Sequence, residues 1–211
     1  MASKDSALGL GKDGKRRCWW ALGSEDYAAY HDDEWGRPVL SDDGLFERLC
    51  LEAFQSGLSW LTILRKRENF RAAFAGFDIE AVARFDRRDF KRLMGDAGIV
   101  RNRLKIEAAI ANAQSAIDLI DEHGSLAAFA WRFRPARHLA PRRQSDLEAQ
   151  TAESKALARE LKRNGFRFVG PTTAYALMQA VGIVNDHIVG CQVRGVAGAE
   201  QTEARKTLSA S

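Results

Sequence analysis

Leu161-Lys162-Arg163-Asn164-Gly165-Phe166-Arg167-Phe168-Val169-Gly170-Pro171-Thr172-Thr173-Ala174-Tyr175 reads as the end of one helix, a tight turn and the start of another. Gly165 stops the first helix. Phe168 and Val169 are expected to point inward, and Gly170 allows close backbone approach. Pro171 to Thr173 open the second helix, where proline suits the first turn. The leading amides there have no intrahelical partner and can point at a phosphate. Lys162, Arg163 and Arg167 add positive charge beside them. A connector with no ligand would share this pattern.

Outward from the hairpin the periodicity is helical almost throughout, so the expected class is all-α. Ser41 or Asp42 caps a helix from Gly44, with Leu45, Phe46, Leu49, Cys50, Ala53 and Phe54 on one face. Gly57 interrupts it and Ser59 caps the next, Trp60 to Phe74. Short helices are expected at 78–83, 86–94 and 125–133, and a long amphipathic one at 102–122. Residues 134–150 carry two prolines and several arginines and read as a long loop. Helices follow at 153–164 and from Thr172 or Thr173 to Val181. No strand pair stands out. Residues 1–15 read as a flexible basic leader, 16–194 as one folded domain, and 195–211 as a disordered tail.

Two half-sites lie at opposite ends of the chain. Cys18 precedes His31, and His187 precedes Cys191 by His-x3-Cys spacing. A last helix beginning near Asn185 would put His187 and Cys191 on one face, a turn apart. Two Cys and two His make a closed tetrahedral zinc site, here a snap joining the two ends. The spacing alone leaves open the other reading, in which the cysteines are small buried hydrophobes. Cys50, inside Leu49-Cys50-Leu51, reads as core.

The 211 residues suffice for a real core, and 45% hydrophobic with 28% charged residues describes a globular chain. No run approaches a membrane span or a signal peptide, so a cytoplasmic protein with reduced cysteines is expected. Thirty-two basic against 28 acidic residues is mildly basic. The basic residues cluster at Lys12 to Arg17, at Arg132 to Arg143, and at Lys155, Arg159, Lys162, Arg163 and Arg167. Each cluster also reads as a solvated face, but together with the hairpin they permit a DNA-backbone partner.

Trp19, Trp20, Tyr27, Tyr30, Trp35 and Trp60 concentrate early in the chain. Glu52 falls at the rim of the apolar face that carries Leu45. A carboxylate there is either a partly solvated edge residue or, facing an aromatic cleft, a binder of flat cations.

Several motifs then converge. Arg17-Cys18-x-Trp20, Tyr30-His31-Asp32-x-Glu34-Trp35-Gly36, Leu51-Glu52, Gln55-x-Gly57-Leu58-Ser59-Trp60, Arg67-Glu68-Asn69, Asp96-Ala97-Gly98-Ile99, Gly165-Phe166-x-Phe168-Val169-Gly170 and Asn185-Asp186-His187-x-x-Gly190-Cys191 resemble the bacterial 3-methyladenine DNA glycosylase I (Tag) family. The resemblance covers Arg17 to Cys191. It implies a helix-hairpin-helix glycosylase fold with one structural Zn2+ held by Cys18, His31, His187 and Cys191. It assigns base recognition to Glu52, stacking to Trp60, and pocket positions to Tyr30, Tyr27, Trp20 and Trp35.

The implied activity is hydrolysis of the N-glycosidic bond of 3-methyladenine in alkylated duplex DNA, by a monomer. Leu58 is the candidate wedge, Gln55 in the same turn is a further candidate DNA contact, and Gly165, Gly170, Thr172 and Thr173 are the candidate phosphate contacts. No lysine suits a Schiff base, so no strand cleavage is expected. Asp186 is expected to support the zinc ligand beside it or to cap a helix. Two rival readings are a non-catalytic zinc-stabilised DNA-binding protein and a glycosylase of broader alkylpurine range.

Overall fold

The computed structural model describes residues 7–210. Residues 1–6 of the expected leader lie outside the described residues. The described residues form a short antiparallel pair, β1 (Leu8–Leu10) and β2 (Arg16–Cys18), followed by a 3-10 turn at Trp19–Gly23. Ten α-helices follow among them: α1 (Glu25–Asp33), α2 (Asp42–Gln55), α3 (Trp60–Ala73), α4 (Ile79–Ala83), α5 (Arg87–Gly95), α6 (Arg103–His123), α7 (Leu126–Trp131), α8 (Ala152–Arg163), α9 (Pro171–Ala180) and α10 (Arg194–Ala210).

The core centres on α2. Its second half, Leu49 to Phe54, is buried on every side, because α3, α6, α7 and α9 all pack on it. Phe54 meets Phe70 of α3 with ring centroids 4.7 Å apart. Small residues of α6, Ala109, Ala113 and Ala116, let that long helix approach closely. Asn102 caps α6 and Gly124, at φ 84°, ends it. The Asp42 side chain reaches across to accept from Ser125 Oγ and the Ala127 amide, tying α2 to the start of α7.

The hairpin forms as expected in outline. Thr151 caps α8, Gly165 turns at φ 86°, and Pro171 opens α9. Asn112 of α6 pins the turn, accepting from the Arg167 amide at 2.7 Å and donating to the Arg167 carbonyl at 3.1 Å. One detail differs. Val169 is buried, but Phe168 sits at φ 56° and is 39% exposed. The pinned backbone at Arg167 turns Phe168 outward, so it is not a core residue.

Three further expectations are corrected. Residues 7–15 are not a loose leader: β1 pairs with β2, and Arg17 binds Asp13 across the turn. Residues 195–210 of the expected disordered tail are helical and belong to α10. Ala197, Gln201 and Ala204 bury one face of α10, and Gln201 donates to the Gly36 and Val184 carbonyls. Small side chains hide this packing from composition. Finally, His187 and Cys191 do not lie on a helix. Residues 185–191 are irregular backbone with a bend at His187 and a turn at Val189–Gly190, where Gly190 sits at φ 92°.

Candidate active site and metal centre

α1 carries both halves of the site. Ser24 caps it, accepting from the Tyr27 amide at 3.2 Å. Helical spacing then puts Tyr27, Tyr30 and His31 on the side facing the fold. Glu34, at the end of the helix, binds Arg48 of α2 and Arg67 of α3. These two arginines hold its carboxyl below the usual range despite burial.

Cys18, His31, His187 and Cys191 converge in the interior, their ligand atoms all within 4.8 Å of one another. His31 Nε2 lies 3.2 Å from His187 Nδ1, and Cys191 Sγ lies 3.4 Å from the first and 3.8 Å from the second. Cys18 Sγ is 3.9 Å from His187 Nδ1. A tetrahedral zinc requires edges of about 3.3 Å between nitrogens and about 3.6 Å between nitrogen and sulfur. The donor set therefore fits. The outward ring nitrogens are also placed for it. His31 Nδ1 meets Asp32 Oδ1 at 2.8 Å, and His187 Nε2 meets the Trp35 carbonyl at 3.0 Å. Those bonds fix which nitrogen faces inward. Asp32 is held in turn by Arg17 and Gln192.

The cluster buttresses an aromatic cavity. Trp20 packs on His31 and Trp35 on His187, with centroids 5.2 and 4.7 Å apart. The cavity holds about 390 Å³ and is walled by Trp20, Tyr27, Tyr30, Trp35, Trp60 and Trp19. Tyr30 and Trp60 lie 5.4 Å apart, tilted by 45°. Tyr27 Oη accepts from the Leu61 amide at 3.1 Å, fixing the start of α3. The Trp60 indole N–H is buried without a hydrogen-bond partner among the described residues.

Glu52 belongs to the same cavity and is only 7% exposed. Its carboxyl has no hydrogen-bond partner among the described residues. Burial pushes its pKa up to about 8, against which Arg48 pulls only weakly. Arg48 is already paired with Glu34. The helix face alone puts Glu52 at a rim; the packing of α3 and α9 on α2 closes that rim.

Gln55 lines the cavity and donates from Nε2 to the Leu58 carbonyl at 2.8 Å. Lys105 Nζ, from α6, donates to the Phe54 and Ser56 carbonyls at the end of α2. Gly57 turns at φ 81° and Leu58 stands 38% exposed on the connecting loop. Gly165, Gly170, Thr172 and Thr173 lie apart from the cavity, at the hairpin, next to a basic face of Lys155, Arg159, Lys162 and Arg163. Contrary to the expectation that it supports the neighbouring His187 or caps a helix, Asp186 bonds none of the Cys/His cluster. It accepts from His138, Tyr175 and Gln179 instead. Sequence reasoning missed Leu147, Ala176 and Gln179 as cavity walls. Ala176 and Gln179 share a face of α9 by i,i+3 spacing, but only the docking of α9 shows which face it is.

Flat aromatic walls around an uncommitted buried carboxyl group, with a basic helical hairpin elsewhere on the same domain, mark a helical protein with an aromatic, carboxyl-bearing cavity. Similarity to known proteins gives that class its family. The family described as Methyladenine glycosylase matches residues 20–194. The chain is 45% identical to DNA-3-methyladenine glycosylase 1 of Escherichia coli K12, over 83% of this chain and 95% of that protein. A crystal structure of 3-methyladenine DNA glycosylase I superposes with TM-score 0.80 at 44% identity, covering 83% of this chain and 98% of that one. A Staphylococcus aureus structure, described as the basis of 3-methyladenine recognition by the same enzyme, matches with TM-score 0.78 at 34% identity, covering 82% and 93%. The chain belongs to the methyladenine glycosylase family.

Proposed function

We propose that this chain hydrolyses the N-glycosidic bond of 3-methyladenine in alkylated duplex DNA, releasing the free base and leaving an abasic site for repair. The observation that carries this reading is Glu52: a buried, unpartnered carboxyl group in a base-sized aromatic cavity. Methylation at N3 makes the base a cation and weakens its bond to the sugar. Aromatic faces attract that cation, and its arrival draws Glu52 toward the carboxylate form. Trp60 and Tyr30 stack on or bond to the base, with Tyr27, Trp20 and Trp35 behind them.

The α8–turn–α9 unit acts as a helix-hairpin-helix. The leading amides at Thr172 and Thr173 hold phosphate, helped by the basic face. A Cβ on Gly170 would meet nothing within 4 Å in the protein, which leaves room for a DNA backbone there. Extruding the damaged nucleotide costs a few kcal/mol. Leu58 fills the vacated stack, on a loop stiffened by Gln55 and Lys105. The C1′–N9 bond breaks with its electron pair going to the base, which leaves neutral. Water adds to the oxocarbenium-like sugar and loses its proton to solvent. No lysine lines the cavity among the described residues, which supports a monofunctional hydrolase. Zn2+ on Cys18, His31, His187 and Cys191 would act structurally, tying the start of the domain to its end behind the aromatic wall.

The test is chromatography of bases released from methylated duplex DNA. Release of 3-methyladenine without strand nicking is expected. Retained DNA binding without release of any base would overturn the proposal.

A further inference from the structure

Gln179 is the polar group of the cavity that the glycosylase scheme leaves unused. It sits on α9 and lines the same cavity as Glu52. Its Nε2 donates to Asp186 Oδ2 at 2.7 Å. Asp186 is buried behind the wall and is met by two more donors, Tyr175 Oη at 2.7 Å and His138 Nε2 at 2.8 Å. A carboxylate offers acceptors only, so the amide must present its NH2 to Asp186. Its Oε1 has no hydrogen-bond partner among the described residues. Asp186 thus commits the donor end of Gln179 and leaves Oε1 as the free acceptor of a residue that lines the cavity.

We infer that Gln179 is a specificity residue whose Oε1 accepts a hydrogen bond from the exocyclic 6-amino group of the methylated base, and that Asp186 is the positioning residue that fixes this orientation. A base bearing a 6-oxo group would set one acceptor against another in a partly desolvated cavity. Such a mismatch leaves both oxygens unpaired, which is how polar sites reject the wrong ligand strongly. His138 belongs to the arginine-rich loop 134–150 and Tyr175 to α9, so the fixed amide is anchored from two separate segments. This inference rests on the glycosylase reading.

The experiment compares excision of 3-methyladenine with that of its 6-oxo counterpart, 3-methylguanine, from duplex DNA. Wild type, Gln179→Met and Asp186→Asn are assayed side by side, with metal content and thermal melting as controls. Methionine keeps the length and removes both polar atoms. The expected result is a fall of about tenfold or more in the preference for 3-methyladenine in Gln179→Met. A smaller fall in the same direction is expected for Asp186→Asn, which frees the amide to rotate. Release of 3-methyladenine by wild type with an unchanged preference in Gln179→Met overturns this inference alone. No release of either base by wild type overturns the glycosylase reading and this inference with it.

Discussion

Replacing Glu52 with Gln should make the protein more stable and less active at once. The unfolded chain releases the Glu52 proton near pH 4.5, whereas the native cavity holds it up to about 8. Between those values the native state carries a proton that the unfolded state has lost, so stability falls as pH rises through the window. At pH 7 this burial costs about 3 kcal/mol, and over the whole window about 5 kcal/mol. Gln keeps the shape and cannot ionise. The carboxyl group has no protein partner to lose, so the variant should recover most of that energy. Denaturant unfolding of both proteins at pH 5 and pH 8 is the assay. The wild type should lose on the order of 3 kcal/mol more than Glu52→Gln between the two conditions. Every other titrating group is common to both proteins and cancels. Excision of 3-methyladenine should fall sharply in the variant at both pH values. Parallel pH dependence in the two proteins would refute the burial argument. Undiminished excision would remove Glu52 from the mechanism.

Cys191→Ser, or removal of metal with a chelator, should cost on the order of 3 kcal/mol, or roughly 10 °C in melting temperature, alongside a loss of one metal per chain by elemental analysis. Full stability without metal would sink the snap. Leu58→Ala should shift stability by less than about 0.5 kcal/mol, because the side chain is exposed, yet reduce turnover on duplex DNA about tenfold. Equal activity on duplex DNA would dismiss the wedge. Arg159→Glu with Lys162→Glu should weaken DNA binding in all sequences. The slope of log affinity against log salt should flatten by about one for each phosphate that is no longer neutralised. An unchanged salt slope would place the phosphate-binding face elsewhere.

Local rules make much of this protein legible. Ser59 announces α3 because its side-chain oxygen satisfies an amide that the helix cannot, whereas α1, capped in the same way by Ser24, is not among the helices expected from the sequence. The long arginine-rich segment reads as a loop for the same kind of local reason, and it holds one short 3-10 turn at Gln144–Asp146. α10 is hard to see in the sequence because its buried face is built from Ala197, Gln201 and Ala204, which carry little hydrophobic signal. Its stability comes from docking on Gly36 and Val184, a partner that sequence periodicity cannot name. The His187–Cys191 segment looks helical in the sequence because i,i+4 spacing suits a helix and a metal-binding turn alike.

Residue chemistry and local pattern alone mark the Cys and His of the cluster, the aromatic stock of the cavity and the hairpin with its basic flanks. Those depend on residue chemistry and on rules acting within a few residues. The packing of distant segments settles that Glu52 is buried rather than at a rim, that Phe168 faces out, and that Asp186 backs Gln179 rather than a residue of the Cys/His cluster. Each of these follows from which helix packs against which. Burial and hydrogen-bond partners arise between segments distant in the chain, so no local pattern records them.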